Sequence, residues 1–306
     1  MRDLHKTALW FLALLLVVLA GDRLFTAMLQ TVLRRSNFRF SAVERSGIDA
    51  DIVVLGDSRG VSSINVPLVE KLTGHRTFSL CYNGMATKIA EALLADYLDH
   101  NRPPRLIVIE VTSLTEPMKL SPELRTYAGL SPRLAEIYAE EHPVGARAGR
   151  FFTLLRFNSE LYMRALYYLR RSDQEWGNSA TISAAEIEQA RAGGPWRLHP
   201  SEQNLASLER ILRLVRSRNV AVRLMIGPYL PDYAAHAANL GDFIAVVEQR
   251  AHRVDPSLHV ENYYAAMAEP RLFADVLHLN DSGTAAFMSI LQRDRFFAPR
   301  PGEGTW

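Results

Sequence analysis

The sequence predicts an α/β protein: a three-layer sandwich on a five-stranded, mainly parallel sheet, with an N-terminal membrane helix and a helical insertion. Three observations predict it. Five short apolar runs recur from residue 51 onward, helical patterns lie between and after them, and Ala8 to Gly21 runs fourteen residues without a charge. Continuous rather than alternating apolar runs mark strands buried on both faces, as in parallel sheets covered by helices.

The 306 residues are 48% hydrophobic and 22% charged, which excludes wholesale disorder, collagen-like repeats and a small disulfide scaffold. Thirty-five basic against 33 acidic side chains leave a net charge of +2, so no global field draws the chain to nucleic acid, and no nucleic-acid partner is expected. The single cysteine, Cys81, cannot form an intramolecular disulfide and leaves the redox compartment undecided.

At the amino terminus, Arg2 and Lys6 precede the uncharged run, as in an export signal. Fourteen helical residues rise only ~21 Å against a hydrocarbon core of ~30 Å, and Val18 and Ala20 fit a cleavage site. Leu24 to Leu33 continues the apolar character past Asp22 and Arg23, however, and favours an uncleaved anchor. Residues 1–45 are therefore read as a signal anchor with a juxtamembrane helix. Positive charge ahead of the span holds the amino end in the cytoplasm and sends the remainder across.

The expected strands are Asp51 to Leu55, Thr77 to Cys81, Arg105 to Val111, Val220 to Ile226 and Leu258 to Asn262. The expected helices are Lys88 to His100, Glu202 to Arg218, Ala234 to Arg253 and Ser282 to Arg293. They define a sheet domain over 46–298, interrupted at about 113–200 by a mostly helical insertion. In that insertion Phe151, Phe152, Leu155, Phe157, Leu161, Tyr162, Leu166 and Tyr167 supply an aromatic-rich stripe, read as an internal core, with a lid, partner face or membrane-facing surface as the alternative. Ser172 to Pro200 reads as an exposed connection, and 299–306 as a loose tail.

Two segments carry candidate chemistry. Gly56-Asp57-Ser58-Arg59-Gly60 follows the first strand, so Ser58 stands at the carboxyl edge of the sheet, where open α/β folds bind ligands. Taken alone, Asp57 and Ser58 are better read as a helix cap. Near the carboxyl end stands Asp275-Val276-Leu277-His278-Leu279-Asn280. An aspartate and a histidine three apart can converge from one turn, the carboxylate accepting from one imidazole nitrogen while the other faces a serine. Asn280 or Asp281 also suits a helix cap. Arg59 is expected to face solvent, and Asp232 with His236 to form a solvated pair on a helix face. No GxGxxG, Walker, HExxH or Cys-His pattern is present, and neither a cofactor nor a metal is expected.

Together these elements resemble the SGNH, or GDSL-type, hydrolase superfamily, with its flavodoxin-like fold, over about Asp51 to Phe296. The resemblance implies Ser58 as nucleophile, His278 as general base and Asp275 as the residue that orients the histidine. Asn83-Gly84 looks like the family's glycine block, which makes the amides of Gly84 and Ser58 oxyanion donors; by itself Asn83-Gly84 is also an ordinary turn. The family's Gly-x-Asn-Asp block is replaced by Ile109-Glu110-Val111-Thr112-Ser113. Loss of one oxyanion donor can cost about 3 to 4 kcal/mol, so Asn83 or Thr112 substitutes, or turnover is slow; Asn83 is the expectation.

The missing asparagine block, the N-terminal anchor, the Asp-Arg after it and Pro228-Tyr229 resemble the membrane-anchored branch found among envelope-polysaccharide proteins. The likeness implies a serine acyl esterase or O-acyltransferase, single-pass in a bacterial inner membrane with its catalytic domain in the periplasm, or secreted if the signal is cleaved. Its implied partners are an acylated glycan or small ester, the lipid bilayer and, for a transferase, a membrane acyl-donor protein. The alternative is a non-catalytic envelope or polysaccharide assembly protein that keeps the fold.

Overall fold

A computed structural model describes residues 2–117, 124–157, 159–301 and 303. In chain order its first elements are α1 (Arg2–Arg35), α2 (Arg39–Arg45), β1 (Ile52–Leu55), α3 (Ser58–Ser63), α4 (Val66–Thr73), β2 (Thr77–Ser79), α5 (Thr87–His100) and β3 (Leu106–Glu110). Then come α6 (Pro132–Glu141), α7 (Pro143–Phe151), α8 (Ser159–Tyr167), α9 (Ala184–Arg191), α10 (Glu202–Arg216), β4 (Ala221–Ile226), α11 (Pro231–Ala234), α12 (Leu240–His252), β5 (Val260–Asn262) and α13 (Asp281–Arg293). They form two compact units, one from Met1–Arg45 with Lys119–Ser172, the other from Ser46–Met118 with Asp173–Trp306.

The larger unit is built on five parallel strands in the order β2-β1-β3-β4-β5. The central strands read Ile-Val-Val-Leu and Leu-Ile-Val-Ile-Glu and are buried at every position, as both faces of the sheet are covered. Ile52, Val54, Leu106, Val108 and Met225 belong to one core cluster with Val69 of α4 and Phe287, Met288 and Leu291 of α13. α10 packs on α5 and β4, burying Leu205, Leu208, Ile211, Leu212 and Val215 at helical spacing. The order in which strands are laid down changes direction between the parallel neighbours β1 and β3, so the loops after both strands meet at the carboxyl edge.

Two expectations are corrected. The helix expected over Ala234 to Arg253 is broken, because residues 236–239 pair elsewhere: Trp196 N–H donates to His236 O, Ala238 N–H to Trp196 O, and Asn239 exchanges side-chain bonds with both backbone groups of Leu198. Ser172 to Pro200 is more than an exposed connection: it holds α9, started by a Ser183–Glu186 capping box, and puts Ile182 and Ala190 into the core. Helix α3 starts where Asp57 and Ser58 suited a cap, and α4 stands where none was expected, entered through Asn65 and a first-turn proline and closed by left-handed Gly74.

In the smaller unit α1 is one continuous helix, long and apolar enough to cross a membrane. Its inward stripe includes Asp22, Thr26 and Leu33, and the outward face shows Leu24, Phe25 and Met28 to solvent. The aromatic stripe of the insertion is split: Leu161 is buried, whereas Phe151, Phe152, Leu155 and Tyr167 are exposed. Of the tail expected over 299–306, residues 302 and 304–306 lie outside the described residues, as do 118–123 of the insertion. Arg300 and Glu303 pair with Glu261 and Arg223 respectively.

Candidate active site

The turn after β1 places Ser58 as the first residue of α3. Asp57 caps that helix by accepting from Arg59 N–H at 2.8 Å, which fixes the backbone on either side of the serine. The second element is the 273–280 hairpin, closed by Ala274 N–H to His278 O at 2.8 Å and by an isolated bridge between Phe273 and Leu279. Inside it, the Asp275 carboxylate accepts the backbone N–H groups of Leu277 (2.8 Å) and His278 (2.9 Å). Asn280 then starts α13 by accepting Gly283 N–H at 3.0 Å, and its amide donates to Arg271 O at 2.8 Å.

The structure brings the three singled-out side chains together. Ser58 Oγ lies 2.8 Å from His278 Nε2, and His278 Nδ1 lies 2.8 and 2.9 Å from the two Asp275 oxygens. An imidazole carrying its proton on Nδ1 donates to Asp275 and leaves Nε2 free to accept the Ser58 hydroxyl hydrogen. Burial alone would raise the Asp275 pKa, but bonds from the His278 ring and the Leu277 amide outweigh it and hold the carboxyl below its ordinary value.

Behind the serine lies a buried polar cluster that sequence reasoning missed. Arg59 is buried, correcting the expectation that it faces solvent. Its guanidinium donates to Leu277 O (2.8 Å), Gly227 O (2.7 Å) and Pro228 O (3.1 Å), stacks 3.4 Å above the Tyr229 ring, and lies 3.6 Å from Glu110. Glu110, fully buried, accepts from Thr112 N–H (3.0 Å) and Gly227 N–H (3.2 Å). The Thr112 hydroxyl sits between Glu110 and Asp57, bonded to both. Burial first, and the Glu110 carboxylate next, push the Asp57 pKa up to about 7. The signal for this cluster was an arginine and a glutamate beside two strand ends, and periodicity does not separate such residues from solvated ones.

The loop after β2 turns at Asn83-Gly84, where Met85 N–H bonds back to Tyr82 O at 3.0 Å. Gly84 takes φ +65°, a conformation that disfavours any residue with a Cβ, and Asn83 is exposed. The Thr112 hydroxyl is committed to carboxyl groups. Asp232 bonds to Arg191 Nε and His236 to Arg191 O, so the two are tied to one arginine of α9. Among the described residues no three His, Cys, Asp or Glu side chains cluster as metal ligands.

No family model matches the chain, and no curated protein matches it. A solved structure described as "a putative platelet activating factor from Streptococcus pneumonia" aligns over 93% of this chain and 98% of its own, with TM-score 0.41 and 14% identity.

Proposed function

We propose that the chain is a membrane-anchored, extracytoplasmic serine acyl esterase or O-acyltransferase of the SGNH type, acting on acyl groups, acetyl above all, of an envelope polysaccharide. The observation that carries this reading is the unbroken line Ser58 Oγ, His278 Nε2, His278 Nδ1, Asp275, with contacts of 2.8 Å between side chains. Residues 220 apart in sequence meet in an order that suits proton transfer away from a hydroxyl.

In this mechanism Ser58 Oγ attacks the ester carbonyl as its proton passes to His278 Nε2. The resulting oxyanion is held by the amides of Ser58 and Gly84, with Asn83 as the side-chain donor. Collapse breaks the ester C–O bond, the leaving alcohol takes the proton from His278, and the acyl group stays on Ser58. Water, or a sugar hydroxyl in the transferase case, then attacks the acyl-enzyme while His278 takes its proton, and collapse of this second intermediate breaks the acyl–Ser58 bond as His278 returns the proton to Ser58 Oγ. Asp275 holds the ring in the working tautomer and balances the imidazolium charge.

The anchoring part of the reading rests on α1, with basic residues ahead of its apolar run. A second reading, a non-catalytic assembly protein on the same fold, draws support from the commitment of the Thr112 hydroxyl and the absent asparagine block. Acetate release from acetylated sugars or aryl acetates by the full-length protein in detergent separates the two. The enzyme reading expects release that Ser58→Ala and His278→Ala each abolish, and it fails if release is unaffected by either substitution or absent from the native protein.

A further inference from the structure

Beside α1, whose own apolar side chains are largely exposed, one turn of the smaller unit also shows three large apolar side chains to the outside. Phe151 at the end of α7, Phe152, and Leu155 in the 3-10 turn Thr153–Arg156 are 68%, 40% and 51% exposed. The turn is fastened to the helix by Asp22, whose carboxylate accepts Thr153 N–H (2.8 Å), the Thr153 hydroxyl (2.7 Å) and Leu154 N–H (3.0 Å). Thr26 bonds to the same hydroxyl at 2.7 Å, and the Arg23 guanidinium reaches Arg150 O at 3.1 Å. Asp22 is itself buried.

The depth of this junction follows from helix geometry. Past the charged Lys6, the apolar residues that α1 leaves exposed run from Leu9 through Val18 to Leu24, Phe25 and Met28, nineteen rises or ~28 Å, close to the ~30 Å hydrocarbon core. The uncharged run before Gly21 is too short to fill that thickness alone. Asp22 then lies ~9 Å inside the Met28 end, at a level where the unpaired first amides of a 3-10 turn need acceptors from the protein. The two amides at the start of the turn are the ones Asp22 accepts. Exposed Arg147 and Arg150 on α7, and Arg34 and Arg35 at the end of α1, supply cations for lipid phosphates.

We propose that the 151–155 turn is embedded in the lipid bilayer beside α1, as an apolar collar carried by Phe151, Phe152 and Leu155 and held to the helix by the Asp22 carboxylate. This rests on α1 being a membrane anchor, as proposed above. The collar thickens the short anchor on one side and fixes the smaller unit against rotation about the helix axis, which a lone helix does not do.

The test uses full-length protein in phosphatidylethanolamine and phosphatidylglycerol vesicles, spin-labelled at Leu155→Cys, Phe152→Cys, Val17→Cys or Gln189→Cys. The unsubstituted protein, whose one cysteine is buried, supplies the background. At Leu155→Cys and Phe152→Cys the collar predicts loss of relaxation by a water-soluble nickel reagent and gain of relaxation by oxygen, as at Val17→Cys and opposite to Gln189→Cys. Nickel relaxation at both turn positions equal to that at Gln189→Cys, with Val17→Cys protected, overturns the collar and leaves the anchor standing. Nickel access at Val17→Cys as well overturns both.

Discussion

Arg59 donates from Nη1 to the backbone carbonyl of Leu277 at 2.8 Å, so the residue after the serine holds the residue before the histidine. The same guanidinium binds the carbonyls of Gly227 and Pro228 after β4. Helix α3 and two loops, the one after β4 and the histidine turn, are thereby joined by one buried cation. The Ser58–His278 distance depends on that joint as well as on the two residues themselves.

Replacing this arginine tests the joint. Arg59→Met leaves three carbonyls without their donor and Glu110 without its ion partner, a loss expected to destabilise the fold by about 3 to 5 kcal/mol. Where the protein still folds, a displacement of the histidine turn by ~1 Å lowers acylation roughly 10²-fold. Arg59→Lys keeps the charge but cannot span all three carbonyls, so its reactivity falls between the two. Denaturant melts and fluorophosphonate labelling rates measure both effects; labelling of Arg59→Met at the native rate removes the positioning role.

The two aspartates near the site give pH dependences of opposite sign. The Asp57 pKa is raised from 3.8 to about 7, so its contribution is fully present below pH ~4 and is lost as pH rises through 7, on the order of 4 kcal/mol. Asp57→Asn removes that slope from a plot of unfolding free energy against pH. Asp275 is held below its ordinary value, so its contribution is present above the ordinary aspartate range and disappears only as pH falls through the lowered folded value. An unchanged slope in the Asp57→Asn protein argues against a neutral carboxyl behind the serine.

Asp275→Asn probes the tautomer. An amide at this position can donate to Nδ1, which places the imidazole proton on Nε2 and removes the acceptor for Ser58. The expected loss in acylation rate is roughly 10³- to 10⁴-fold at neutral pH. Because the Asp275 side chain is 44% exposed, little change in stability accompanies it. Labelling kinetics read beside a melt separate orientation from folding.

Gly283→Ala tests the packing behind the histidine loop. A Cβ there lies 1.9 Å from Leu272 O and 3.1 Å from Leu279 Cδ2, with no flexible side chain to yield at the carbonyl. Destabilisation of about 3 kcal/mol or more is expected, measured by denaturant unfolding. A native midpoint contradicts the close packing of α13 on the 272–280 segment.

The sheet was legible because strands buried on both faces leave uninterrupted apolar runs, and all five were found within two residues at every end. Ser58, Asp275 and His278 were legible through their order and spacing. Arg59 and Glu110 were not, since a charged residue beside a strand end has the same letter whether it is solvated or closed in by neighbouring loops. The break before α12 was hidden for a related reason: Asn239 bonds to Leu198, 41 residues away, and Trp196 bridges to Ala237, and only these long-range pairings stop the helix. Helix α4 was the opposite case, with Asn65, Pro67 and Gly74 marking its ends in plain view.

Whether the line from Ser58 to Asp275 performs chemistry is decided most directly by treating the full-length protein with a fluorophosphonate and locating the adduct by peptide mass spectrometry. One stoichiometric adduct on Ser58 is expected, lost in Ser58→Ala and slowed by orders of magnitude in His278→Ala. A native protein that stays unlabelled, or carries its adduct on another residue, contradicts the account.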